Sequence, residues 1–153
     1  MSLYPADFMM DASRRGTPKH YKHGKVVGEK QYVQVAIETL EAPAVILFGG
    51  QGKQDETGTL GFAAIAPMCA KHQVITFGHS AITISTELAA SGIYPLQRCV
   101  RMCDAVEVAR RALQNDPSIK YVLLSPGCAS FDEFSSFGER GCQFAALATS
   151  NMV

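Results

Sequence analysis

The chain has 153 residues, 47% of them apolar and 18% charged, which is the composition of a folded globular domain rather than a disordered segment. Fourteen basic and fourteen acidic side chains leave a formal net charge of zero, so no global field favours nucleic acid or an anionic membrane. No apolar run approaches the roughly 18 residues of a membrane span, and Met1–Arg15 lacks the basic-then-apolar order of a secretory signal. The five cysteines, Cys69, Cys99, Cys103, Cys128 and Cys142, are odd in number and without framework spacing. They read as reduced thiols in a cytoplasmic setting, packed as small apolar residues. Cys99 and Cys103 have metal-ligand spacing, but no second pair of soft ligands accompanies them, so no metal site is expected.

Residues 1–32 are basic, hold Pro5, Gly16, Pro18, Gly24 and Gly28, and show little periodicity. They are expected to form an extended or poorly ordered arm, with one strand at most near Gly24–Val27. Residues 33–153 carry the domain. A helix is predicted over Val33–Glu41, then a buried strand over Ala44–Gly49, rich in β-formers and ending in glycine. Leu60–Lys71 has helical spacing, interrupted by Pro67. A strand over Gln73–Gly78 precedes a helix that Ser80 caps and Gly92 stops. Arg98–Met102 is a weaker strand. Asp104 and Glu107 have capping-box spacing for a helix to Gln114. Lys120–Ser125 is a further strand, and Ser130 with Glu133 repeats the capping spacing before a helix from Phe131 to Ala148.

Buried strands alternating with helices of this length imply an α/β fold with a doubly wound, mostly parallel Rossmann-like sheet. In such sheets ligands gather beyond the carboxyl ends of the strands. Here those ends are Gly49–Lys53, Gly78–His79 and Ser125–Ser130.

The glycine cluster Gly49-Gly50-Gln51-Gly52-Lys53 is not a Walker loop, because Leu47 stands where its first glycine belongs and Gln54 where its hydroxyl belongs. A dinucleotide fingerprint fails too, since Asp55 takes the place of the third glycine; a small nicotinamide enzyme is thereby disfavoured. Two readings of Lys53 remain: a solvent-facing lysine on a flexible turn, or a cation held at a strand end to pair with a carboxylate or phosphate. Ser130 is equally open. It can cap the last helix, or it can join that helix's free amides in binding an anion. Cys128 has no evident base, so a nucleophilic role is not expected of it.

Leu124-Ser-Pro-Gly-Cys-Ala-Ser-Phe-Asp-Glu-Phe134, continued by Phe137, Arg140-Gly141 and Phe144, closely resembles the closing motif of the Mur ligases that add D-glutamate, the UDP-N-acetylmuramoyl-L-alanine:D-glutamate ligases. Leu47–Lys53 is similar to the lysine-bearing loop of the same family, and Val74–Gly78 and the helix after Asp104 follow its pattern. The resemblance runs over roughly residues 35–149 and implies the family's C-terminal domain. In that family ATP with magnesium phosphorylates the acceptor carboxylate, the incoming amine displaces phosphate, and the C-terminal domain holds D-glutamate. Carried over, the resemblance makes Lys53 the partner of one glutamate carboxylate. Ser130 and the Phe131 amide bind the other, and Phe137 walls the site. No catalytic residue is assigned to this chain.

Two departures stand out. Gln51 replaces an aspartate of the family loop, and Gly24–Glu29 keeps none of an Asp-Ser-Lys-Ala-Thr-Asn motif expected there. The resemblance therefore implies D-glutamate and a UDP-muramoyl peptide as partners in peptidoglycan synthesis, with ATP and magnesium belonging to the full-length ligase. Neither cofactor is expected in this chain by itself, and the chain alone is expected to be inactive. The alternative is a non-catalytic Rossmann-like binding or partner module derived from such a ligase.

Overall fold

The computed structural model describes residues 7–10, 29–128 and 133–149. Five parallel strands form one sheet in the order β1-β5-β2-β3-β4, with β1 at Asp7–Met10, β2 at Ala44–Gly49, β3 at Gln73–Phe77, β4 at Gln97–Cys99 and β5 at Tyr121–Gly127. The helices are α1 (Glu29–Glu38), α2 (Ala81–Ala89), α3 (Met102–Asn115) and α4 (Phe137–Thr149).

The central strand β2 is buried at every residue, which is why its sequence is continuously apolar rather than alternating. Its side chains still divide by the pleat. Ile46 and Phe48 join Val33, Ile37, Phe62, Ile65, Ile84 and Leu88 in a core under α1 and α2. Val45 and Leu47 join Ile75, Met102, Val106, Ala109 and Phe144 in a second core under α3 and α4. Phe48 meets Phe62 edge-to-face, with ring centroids 5.1 Å apart. Burying such a ring contributes about 2–3 kcal/mol relative to leaving it exposed. In α3, Met102, Ala105, Val106 and Ala109 form the i, i+3, i+4, i+7 stripe that turns the helix onto the sheet. The Arg110 guanidinium donates to the Leu147 carbonyl and ties α3 to α4.

The expected doubly wound, parallel α/β architecture is what the structure has. Several boundaries differ. Leu60–Lys71 forms two 3₁₀ turns, Phe62–Ala64 and Ala66–Cys69, instead of one α-helix. Gly61 enters them at φ 85°, Pro67 supplies no N–H, and the Glu87 carboxylate accepts the Leu60 and Phe62 amides at 2.7 and 2.9 Å. The edge strand β4 ends at Cys99, and α3 begins at Met102 with Asp104 inside its first turn rather than at its cap.

Helix α2 ends in a Schellman closure, with the Ile93 amide on the Leu88 carbonyl, the Gly92 amide on that of Ala89, and Gly92 at φ 84°. Helix α4 begins at Phe137, six residues later than expected, because its amides find Ser136: the Glu139 N–H donates to Ser136 Oγ at 3.0 Å. Helix α1 starts at Glu29 and ends at Glu38, so the expected division between residues 32 and 33 falls inside it, and Asp7–Met10 pairs with β5. The strand expected near Gly24–Val27 lies outside the described residues.

Candidate functional site

In the sheet order, β2 and β5 are neighbours, and Gly49 stands opposite Gly127 at their carboxyl ends. The chain leaves β2 toward the 3₁₀ turns on one face, and the elements following β5 lead to α4 on the other. Neighbouring strands whose exits diverge in this way leave a crevice between them, the usual ligand position in an open α/β sheet. The loop carrying Lys53 and the segment after Gly127 both start at that crevice.

Close packing shapes it. A Cβ added to Gly49 would stand 2.4 Å from the Phe77 carbonyl oxygen, and one added to Gly127, at φ 71°, would stand 2.9 Å from the Phe62 ring. Glycine is required at both positions, for contact at the first and for contact and backbone conformation together at the second. Beyond Gly49 the loop turns its amides inward. The Gly50 N–H donates to the Phe77 carbonyl at 3.2 Å and the Gly52 N–H to Ser80 Oγ at 2.7 Å, while the Ser80 N–H returns to the Gly50 carbonyl at 2.9 Å. Ser80, expected to cap α2 through its side chain, instead braces this loop, and it makes no side-chain cap bond.

Lys53 is exposed at the end of the loop. Immediately after it, the Asp55 carboxylate accepts from the amides and hydroxyls of Thr57 and Thr59, which closes a compact turn. Those bonds, the Thr57 hydroxyl first, hold the Asp55 carboxyl down to about 2.

On the β5 side, Ser125 and Cys128 are buried, and Arg140 of α4 is only 2% exposed. Arg140 Nη1 donates to the Cys128 carbonyl at 2.8 Å. Ser130 and Phe131 lie outside the described residues, and of Phe137 the backbone is described as the first residue of α4. Glu133 follows, and both its carboxylate oxygens accept the Met102 N–H, at 3.1 and 3.2 Å. The residue expected to complete a local cap with Ser130 thus caps α3 across the fold. Arg140 and Glu133 were not singled out for these roles by the sequence. Arg140 shares a face with Phe144 and Ala148, a spacing that marks it for burial.

A second recess, about 710 Å³, opens at the ends of β3 and β4 and is lined by His79, Ile82, Arg98, Val100, Arg101 and Glu133 among others. Lys53 does not line it.

No family model matches the chain. Curated relatives do. A UDP-N-acetylmuramoylalanine–D-glutamate ligase of Gloeothece citriformis is 37% identical over 117 residues, covering 74% of this chain and 24% of that protein. The ligase of the same name from Symbiobacterium thermophilum is 36% identical over 132 residues, covering 84% of this chain and 27% of the relative. That of Chlamydia pneumoniae is 33% identical over 128 residues, covering 84% and 29%. The chain belongs to the Mur ligase family, as its C-terminal domain. It spans about a quarter of the length of the curated relatives it matches.

The nucleotide that the Mur ligase resemblance implies does not fit the described glycine loop. Its Gly50 and Gly52 amides, the donors a phosphate would need, are already bonded to Phe77 and Ser80. Among the described residues no three His, Cys, Asp or Glu side chains converge on a possible metal position.

Proposed function

We propose that this chain is the D-glutamate-holding domain of an ATP-dependent, amide-forming ligase that extends UDP-N-acetylmuramoyl-L-alanine in peptidoglycan synthesis. The observation that carries this reading is the pairing of Gly49 with Gly127, which sets the start of the Lys53 loop beside the end of β5. A cation on one side and hydroxyl and amide donors on the other suit a small dicarboxylate. Lys53 pairs with one carboxylate, Ser130 and the Phe131 amide hold the other, and Phe137 walls the site. Charge-assisted contacts of this kind contribute about 1.5–3 kcal/mol each. The domain binds and orients the amino acid whose amine attacks the activated acceptor; ATP-dependent activation belongs to other parts of the ligase. The five free cysteines suit a cytoplasmic setting, and no helix among the described residues is long and apolar enough to cross a membrane.

The test is a titration of the isotope-labelled chain with D-glutamate, followed by amide chemical shifts. Shifts should concentrate at Gly49–Lys53 and around Cys128, be smaller with L-glutamate, and fall away in Lys53→Ala and Ser130→Ala. Equal responses to the two enantiomers, or shifts that survive both substitutions, would remove the assigned site and leave the non-catalytic partner module as the reading.

A further inference from the structure

The loop that carries Lys53 is fastened at both ends to α2 and the turn that leads into it. Ahead of the lysine, Ser80 Oγ accepts the Gly52 N–H at 2.7 Å, and the Ser80 N–H donates to the Gly50 carbonyl at 2.9 Å. Beyond it, the Glu87 carboxylate accepts the Leu60 N–H at 2.7 Å on one oxygen and the Phe62 N–H at 2.9 Å on the other. The two ends also meet: a Cβ added to Gly52 would stand 2.6 Å from Leu60 Cδ2. Between them the Asp55 N–H donates to the Thr59 carbonyl at 2.8 Å and closes the turn. Helix α2 is in its turn anchored to the sheet. Ile84 and Leu88 are fully buried in the core, and the hydroxyls of Ser85 and Thr76, the latter on β3, share a hydrogen bond of 2.9 Å. Ser80 is buried and its carbonyl accepts the Ile84 N–H at 2.9 Å, so its hydroxyl is held where the loop needs it.

A lysine on a loose loop can follow carboxylates over a range of distances, whereas a lysine whose backbone is held meets them over a narrow one. The pairing of Gly49 with Gly127 fixes the strand ends on either side of the crevice. We propose that Ser80 and Glu87 are positioning residues for Lys53, and that by holding this cation across the crevice they select the length of the dicarboxylate, glutamate over aspartate. The inference rests on the D-glutamate reading above and adds to it the device that sets the chain length. Aspartate is shorter by one methylene. With one of its carboxylates seated, the other stops short of a lysine held in place, and a charge-assisted contact is lost. Without the Gly52 tie the loop yields toward the shorter acid, and the difference shrinks.

The experiment titrates the isotope-labelled chain with D-glutamate and with D-aspartate, and follows exchange of the Gly52 amide in the free protein. The wild-type chain should bind D-glutamate at least about tenfold more tightly than D-aspartate, the effect of one missing methylene in a fitted site. In Ser80→Ala the Gly52 amide should exchange faster and the ratio should fall to about twofold, mainly through weaker D-glutamate binding. Ser80 makes no side-chain cap bond, so this substitution leaves α2 its helical bonds, and Ser80→Thr, which keeps the hydroxyl, should restore the ratio. Glu87→Gln, which turns an NH2 group toward one of the two amides, should lower the ratio in the same direction. Both affinities weakened in equal proportion would mark a merely structural role and overturn the proposal, as would Gly52 exchange unchanged in Ser80→Ala. If the wild-type chain binds neither acid, the D-glutamate reading falls and this role falls with it. If it prefers D-glutamate and Ser80→Ala keeps the full ratio, the length-selecting role falls alone.

Discussion

At Gly49 a single atom separates a packed crevice from a broken one. The site of its missing Cβ is 2.4 Å from a backbone oxygen, which no rotamer change can relieve. Gly49→Ala should therefore lower stability by about 1–3 kcal/mol, the range of overpacked cores, in urea denaturation. His72 sets a pH dependence of the opposite character to a surface histidine. Its Nδ1 accepts the Ala44 N–H at 3.0 Å, so the neutral ring is the one that fits. Burial first, and then the neighbouring Lys71 charge, lower its pKa from 6.5. The unfolded chain therefore binds a proton more readily than the folded one. The His72 contribution is fully present above about pH 6.5 and is lost as the pH falls toward the lowered folded value. Denaturation midpoints measured through that window should rise with pH, and His72→Gln should flatten the slope.

Among the elements, α3 tests whether a cap can be supplied from a distance. Its first amide is met by Glu133, and Asp104, with capping spacing in the sequence, lies in the first turn. Glu133→Ala should cost about 1 kcal/mol, as loss of an N-terminal cap does, while Asp104→Ala should stay within about 0.5 kcal/mol, as an exposed surface substitution does. The reverse order in chemical denaturation would return the cap to Asp104. The same comparison explains why α3 and α4 start elsewhere than their capping spacings predict. Sequence spacing proposes that Ser130 and Glu133 serve one another; in the fold Glu133 reaches α3, and Ser136 is left to begin α4.

For the molecule as a whole, the inward-turned Gly50 and Gly52 amides predict that the 153-residue chain does not turn over ATP. Phosphate release from ATP and magnesium should match a protein-free blank, and steady turnover by the purified chain would contradict this. The sequence by itself determined the α/β class, the three central strands and the parallel sheet, because apolar runs of strand length ending in small residues have few other ways to be buried. It also determined the relationship to the Mur ligases, since that rests on residue order in the Leu47–Lys53 and Leu124–Phe144 segments. Tertiary structure decided the rest. Strand order and register set Gly49 beside Gly127, and with them the crevice. Contacts distant in sequence assigned Glu133 to α3, Ser80 to the glycine loop and Arg140 to the Cys128 carbonyl. The physical reason is one of range: periodicity records which side chains must leave water, whereas a polar group goes to whichever unpaired donor or acceptor the folded chain brings within about 3 Å.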